Sequence, residues 1–78
     1  MGSEIVQEYE TKTEKLINEY KDLPYELKEK EYNNYLRKEF ELYLEYAEKL
    51  KDKRDILNIL FERHLKNEKN IHNISRWI

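Results

Sequence analysis

The chain has no cysteine, one proline (Pro24) and one glycine (Gly2) among its 78 residues. Without cysteine there is no disulfide and no thiolate metal site, so a chain this small must be held by packing or by a partner chain. The absence also suits a reducing compartment. Phosphate-cradling loops need several glycines to let the backbone approach the ligand. A single glycine at position 2 excludes loops of the P-loop and Rossmann kinds. Long apolar runs are missing too, the longest being Ile59-Leu60-Phe61. A membrane span needs roughly 20 apolar residues and a secretory signal about 7–15. The expectation is therefore a soluble, cytoplasmic protein with no membrane partner. Gly2 after Met1 is not followed by the Ser or Thr at position 6 that N-myristoylation uses; Val6 stands there.

No single sign of charge dominates. The net charge is −2. Residues 1–48 carry 7 basic and 13 acidic side chains, whereas residues 49–78 carry 8 basic and 4 acidic ones. Such asymmetry marks either a nucleic-acid contact or two halves that pack on each other.

What is present is abundant Glu, Lys and Leu, good helix formers all. Three helical segments and a tail are legible. The first spans about 4–22, with Ser3 as a plausible N-cap. Its seam runs through Val6, Tyr9, Thr13, Leu16, Tyr20 and Leu23 at spacings of three and four, and Ile5 and Ile17 widen it. Pro24, whose fixed φ suits a first helical turn, then opens a second helix of about 24–51.

In that second helix Tyr32, Leu36, Phe40, Tyr43, Ala47 and Leu50 form the main stripe, beside a second line through Tyr35, Leu42 and Tyr46. Together they cover an arc of roughly 200° at 100° per residue, where one core contact needs little more than 100°. The helix is therefore built to touch two neighbours. The alternation of Phe40, Leu42, Leu44 and Tyr46 resembles a strand, but the seam persists over several turns and the filler is Glu and Lys.

Asp52, with Asp55 three residues on, resembles a capping box opening a third helix of about 53–67. Ile56, Leu57, Leu60, Phe61, His64 and Leu65 share one face, with Ile59 off it. Asn67, Asn70 and Asn73 favour caps and turns, so over 70–78 either a frayed continuation of the third helix or a separate tail or short fourth helix capped by Asn70 is expected. In it Ile71, Ile74 and Ile78 continue the stripe, and Trp77 serves as an apolar anchor.

Candidate chemistry is sparse. His64, Glu68 and His72 are spaced four apart, at a separation that zinc accepts, but a structural zinc wants four ligands, so no metal is expected. Ser75 follows His72 by three with no carboxylate placed to orient the histidine. Glu39 with Glu41, and Glu26 with Glu29, read as solvated pairs. Glu39 also falls on the apolar arc between Tyr35, Tyr43 and Tyr46. There it is an acid or base of raised pKa, the acceptor of a tyrosine O–H, or the partner of a lysine. The basic residues Arg63, Lys66, Lys69 and Arg76 fit phosphate contacts, but acidic residues are interleaved with them and no helix-turn-helix pattern is legible.

Seven tyrosines remain. Tyrosine combines a large contact area with a polar tip and is enriched at interfaces. Tyr9, Tyr20, Tyr32 and Tyr43 read as core. Tyr35, Leu42 and Tyr46, with Ile59, form the expected partner-binding line. The fold expected is one all-α domain of three helices, the second and third forming an antiparallel hairpin and the first covering its groove. The function expected is a non-enzymatic interaction module without cofactors, a small adaptor, regulator or inhibitor. It would bind a larger protein, or itself as a homodimer, through a Tyr-rich helix face. The alternative is a nucleic-acid-binding helical module using Arg63, Lys66, Lys69 and Arg76.

Overall fold

Two short breaks divide the chain into three long helices. The computed structural model describes residues 3–76. Within them α1 spans Ser3–Lys21, α2 Tyr25–Lys49 and α3 Arg54–Arg76. Ser3 is thus the first helical residue of α1 rather than the cap before it. Pro24 stands one place before α2, as its N-cap, with φ −57° and ψ 150°. This extended conformation turns the chain, and its carbonyl accepts the amides of Leu27 at 3.0 Å and Lys28 at 3.2 Å. The Tyr20 hydroxyl donates to the Lys28 carbonyl at 2.9 Å, which clamps α1 to the first turn of α2.

At the second break Leu50 closes α2, its amide bonded to the Ala47 carbonyl at 3.0 Å. The Lys53 amide then reaches the Leu50 carbonyl at 2.8 Å. The third helix starts at Arg54, so Asp52 does not stand at its cap. It runs unbroken to Arg76. Of the two outcomes open beyond residue 67, continuation of the third helix is the one seen, past its expected bound near 67, and no fourth helix exists among the described residues. Asparagine's poor helix propensity is overridden by packing: Ile71 is fully buried, Ile74 half-buried, and Asn67 is held by polar groups of the core. The expected roles of Trp77 and Ile78 lie outside the described residues.

Each helix packs on both others. Along α2 and α3, Tyr43 meets His64 and Tyr32 meets His72, so these two are antiparallel. Along α1 and α2, Tyr9 meets Tyr46 and Tyr20 meets Tyr35, so these are antiparallel too. The result is an up-down-up bundle, 42 Å long and 16 × 15 Å across.

The core has two apolar ends. One contains Val6, Tyr9, Tyr46, Leu50 and Leu60, the other Tyr20, Tyr35 and Ile71. On α2 the buried line is Tyr35, Glu39, Tyr46 and Leu50, whereas Phe40, expected on the main stripe, is 45% exposed. The same offset occurs on α3, where Leu60, His64 and Ile71 are buried and Phe61 and Leu65 stand half out. The cause is α1. It lies on one side of the α2/α3 hairpin and draws both buried lines towards itself. The apolar stripes are wider than this contact requires, and their outer edges are left uncovered.

Candidate interaction face and the polar layer beneath it

Glu39 sits midway along α2, and its side chain is completely buried between the two apolar ends. Tyr9 of α1 donates its hydroxyl proton to Glu39 Oε2. Glu39 Oε1 lies 2.6 Å from His64 Nδ1 on α3. The Asn67 amide, one turn further along α3, donates at 3.3 Å to both Tyr9 Oη and Glu39 Oε2. His64 Nε2 faces Glu68 Oε1 at 3.3 Å, at the half-exposed rim of the layer. Both ring nitrogens of His64 thus face carboxylate oxygens, an arrangement that a doubly protonated imidazole satisfies by donating twice. Among the described residues every buried side-chain nitrogen and oxygen has a hydrogen-bond partner.

Burial dominates the acid–base behaviour of this layer. It pushes the Glu39 carboxyl above the usual carboxylate range, against the pull of Tyr9, His64 and Asn67. It pushes the Tyr9 phenol up as well, reinforced by the hydrogen bond to Glu39 and the negative charge there. Carboxylate, imidazole and phenol together resemble an acid–base relay. Yet Glu39 and Tyr9 are 0% exposed and His64 4%, so no substrate can touch them in this conformation. Tyr9 supplies the tyrosine O–H that the sequence offered to Glu39, and burial raises the Glu39 carboxyl as well.

Above the layer lies an apolar surface. His64 stacks on Tyr43 with ring centroids 4.3 Å apart. Phe40 lies 5.6 Å from His64, and Phe61 6.2 Å from Tyr43. Leu44 follows Phe40 by four residues on α2, and Leu65 follows Phe61 by four on α3. Each pair therefore shares a helix face. Phe40, Leu44, Phe61 and Leu65 are 45–50% exposed, on the side of the hairpin that faces away from α1.

The expected partner-binding residues do not form this surface. Tyr46 is fully buried: its ring meets Tyr9, and its hydroxyl donates to Glu8 Oε1 at 3.0 Å. Tyr35 is 7% exposed against Tyr20, and Leu42 is half-buried. Tyr35 and Tyr46 are core because α1 packs on the line that carries them, so they are not free for a partner. Ile59 is exposed, but it sits about 160° from Phe61 around α3, apart from the apolar surface. The missed signal was the pairing of Phe40 with Leu44 and of Phe61 with Leu65, the outer edges of two stripes that were each wider than one seam.

The basic residues do not share a face either. Arg63 pairs with Glu10 of α1 at 2.6 Å. Arg63 and Lys66 line an open groove of about 400 Å³ between α1 and α3, together with Glu10 and Glu14, so the groove carries both signs. Lys69 and Arg76 lie well over 100° around α3 from Arg63. His64, Glu68 and His72 do not converge: His64 faces Glu68, and His72 Nδ1 meets the Tyr32 hydroxyl at 3.1 Å. No cluster able to hold a metal occurs among the described residues. No helix among them is long and apolar enough to cross a membrane. Comparison with protein-family models, curated proteins and solved structures finds no match for this chain.

Proposed function

We propose that this chain is a non-enzymatic protein-interaction module that docks through the α2/α3 face built on Phe40, Leu44, Phe61 and Leu65. One observation carries the reading. Phe40 and Phe61 close on His64 and Tyr43, Leu44 and Leu65 follow them one turn on along the same helix faces, and all four are 45–50% exposed. Apolar surface gathered in this way favours a partner, because covering it releases ordered water. A groove between two antiparallel helices also accepts a further helix, with side chains at i and i+4 as anchors. The sealing of Glu39, His64 and Tyr9 supports the non-enzymatic part, since the groups best suited to proton transfer are out of a ligand's reach.

The test is a photo-reactive side chain at position 44, with a second variant carrying it at Glu19 on α1, exposed to an extract of the cell that makes the protein. The expected result is one discrete adduct from position 44 and none from position 19. Equal labelling from both positions, or none from either, overturns the reading.

A further inference from the structure

We infer that the occupant of the α2/α3 face is a second copy of this chain, seated with its α2 antiparallel to the first copy's α2. The inference rests on the docking reading above and adds the partner and its orientation.

The order of residues on the face is self-complementary. Each helix presents phenylalanine and leucine four residues apart, Phe40 then Leu44 on α2 and Phe61 then Leu65 on α3. A two-fold axis between the members of each pair sets every phenylalanine on a leucine of the other copy, large against small. One axis serves both helices. The contacts of Tyr32 with His72, Phe40 with His64 and Tyr43 with Phe61 set the register of the hairpin. In that register the midpoint of Phe40 and Leu44 lies level with the midpoint of Phe61 and Leu65. The contact is isologous, so it closes at two copies.

The charges select the orientation. In the antiparallel seating Arg37, one turn before Phe40, meets Glu48 of the second copy, one turn after its Leu44, and this pairing occurs twice. The other two-fold seating would lay α2 on the second copy's α3 at the same height. That places Lys51 against Arg54 of the second copy, like charge on like, which interfaces avoid, and leaves Arg37 between Glu68 and Lys69 of the second copy, with no matched partner. Arg37 and Glu48 are both exposed, and Glu48 pairs within its own copy with the exposed Lys51 of the turn after α2, at 3.3 Å. The side of the bundle that carries this face measures 42 × 16 Å, room for the roughly 600 Å² per copy at the lower end of stable interfaces.

Sedimentation equilibrium from about 1 µM to about 1 mM tests the inference, with circular dichroism to confirm that each variant stays helical. The expected mass rises from the 9.8 kDa monomer to twice that value. Arg37→Glu weakens association at least about tenfold, and adding Glu48→Arg restores it to within about threefold. The two positions are eleven residues apart, about 16 Å along one helix, so they cannot rescue each other within a copy. A chain that stays monomeric at the highest concentration overturns the inference, as does a double variant no tighter than the single one. If the chain is monomeric and the probe at position 44 still gives one discrete, heavier adduct, a different protein occupies the face and the docking reading stands. If neither association nor adduct occurs, both fall.

Discussion

Two regions of this bundle invert the usual arrangement, and they touch at His64. Inside, midway along the helices, Glu39, His64, Tyr9 and Asn67 place polar groups where a small protein would be expected to bury hydrocarbon. Outside, one ring away, Phe40, Leu44, Phe61 and Leu65 place hydrocarbon where water would be expected to meet polar groups. The interior region is closed, because every donor and acceptor is matched within the chain. The exterior region is open, because none of the described residues covers it. A satisfied polar layer specifies how three helices align, since any slip leaves a buried group unpaired. An uncovered apolar face specifies nothing within the described bundle, and on the docking reading proposed above its complement comes from a second chain. On that reading the layer and the face divide two tasks, register within the bundle and association beyond it.

The largest way to break this comparison is to treat the buried line as if it were the open one. Tyr35→Ala combined with Tyr46→Ala removes two core rings, each of which contributes about 3–5 kcal/mol. The sum reaches the whole stability of an ordinary small domain. The double variant is expected to lose most of its far-ultraviolet helical signal at 25 °C. If it stays folded and loses only association, those rings belong to the outer face and the division drawn above is misplaced.

Next in size is the polar layer. Glu39→Leu leaves the Tyr9 hydroxyl, His64 Nδ1 and the Asn67 amide without their shared acceptor. Removing one partner of a buried pair costs about 3–5 kcal/mol, so the midpoint of urea unfolding should fall sharply. The triple variant Glu39→Leu, Tyr9→Phe, His64→Leu removes the orphans together and should recover much of that loss. Equal losses in single and triple variants would mean that the space is shaped for the polar groups and that their bonds matter little.

These two variants also mark what the sequence made legible. The helical class, the number of helices in the bundle and the antiparallel hairpin followed from the spacing of Val6, Tyr9, Tyr20, Leu50 and Leu60 and from the break at Pro24. The rotation of each helix did not follow. An arc of roughly 200° shows that α2 has two neighbours without showing where within the arc they lie. Only the position of α1 turns Tyr35 and Tyr46 inward and leaves Phe40 and Leu44 out. Glu39 was visible as a carboxylate on an apolar arc, but its partners Tyr9 and His64 are 30 and 25 residues away, and no local pattern pairs them. The continuity of α3 was hidden for the opposite reason: Asn67 and Asn70 carry a local signal for a break, and the burial of Ile71 outweighs it.

A smaller effect is expected at high pH. Burial raises the phenols of Tyr9 and Tyr20 above their ordinary value near 10. The folded chain then holds both protons after the unfolded chain has begun to release them. Stability contributed this way is complete below pH 10 and falls as pH rises beyond it, by up to about 1.4 kcal/mol per pH unit for each tyrosine. Thermal unfolding at pH 9, 10 and 11 should show the decline, with a shallower slope in Tyr9→Phe. An unchanged slope in that variant would mean that the Tyr9 hydroxyl is not held in the closed layer.

The smallest expected effect is the one that separates the two regions most cleanly. Leu44→Glu changes a side chain that is already 50% exposed. At micromolar concentration it should shift stability by no more than about 0.5 kcal/mol, as surface substitutions do. The same carboxylate placed at Leu60, fully buried beside Tyr9 and Tyr46, would prevent folding. The difference between open and closed regions should then reappear as a dependence on concentration. Association stabilises the folded chain by mass action, so the melting temperature of the unaltered protein should climb as its concentration is raised, while that of Leu44→Glu should stay level. The two curves should meet at low concentration, where both proteins are single copies. Curves that remain apart there would show that Leu44 contributes to the bundle itself, and the outer face would lose the residue that most sets it apart from the core.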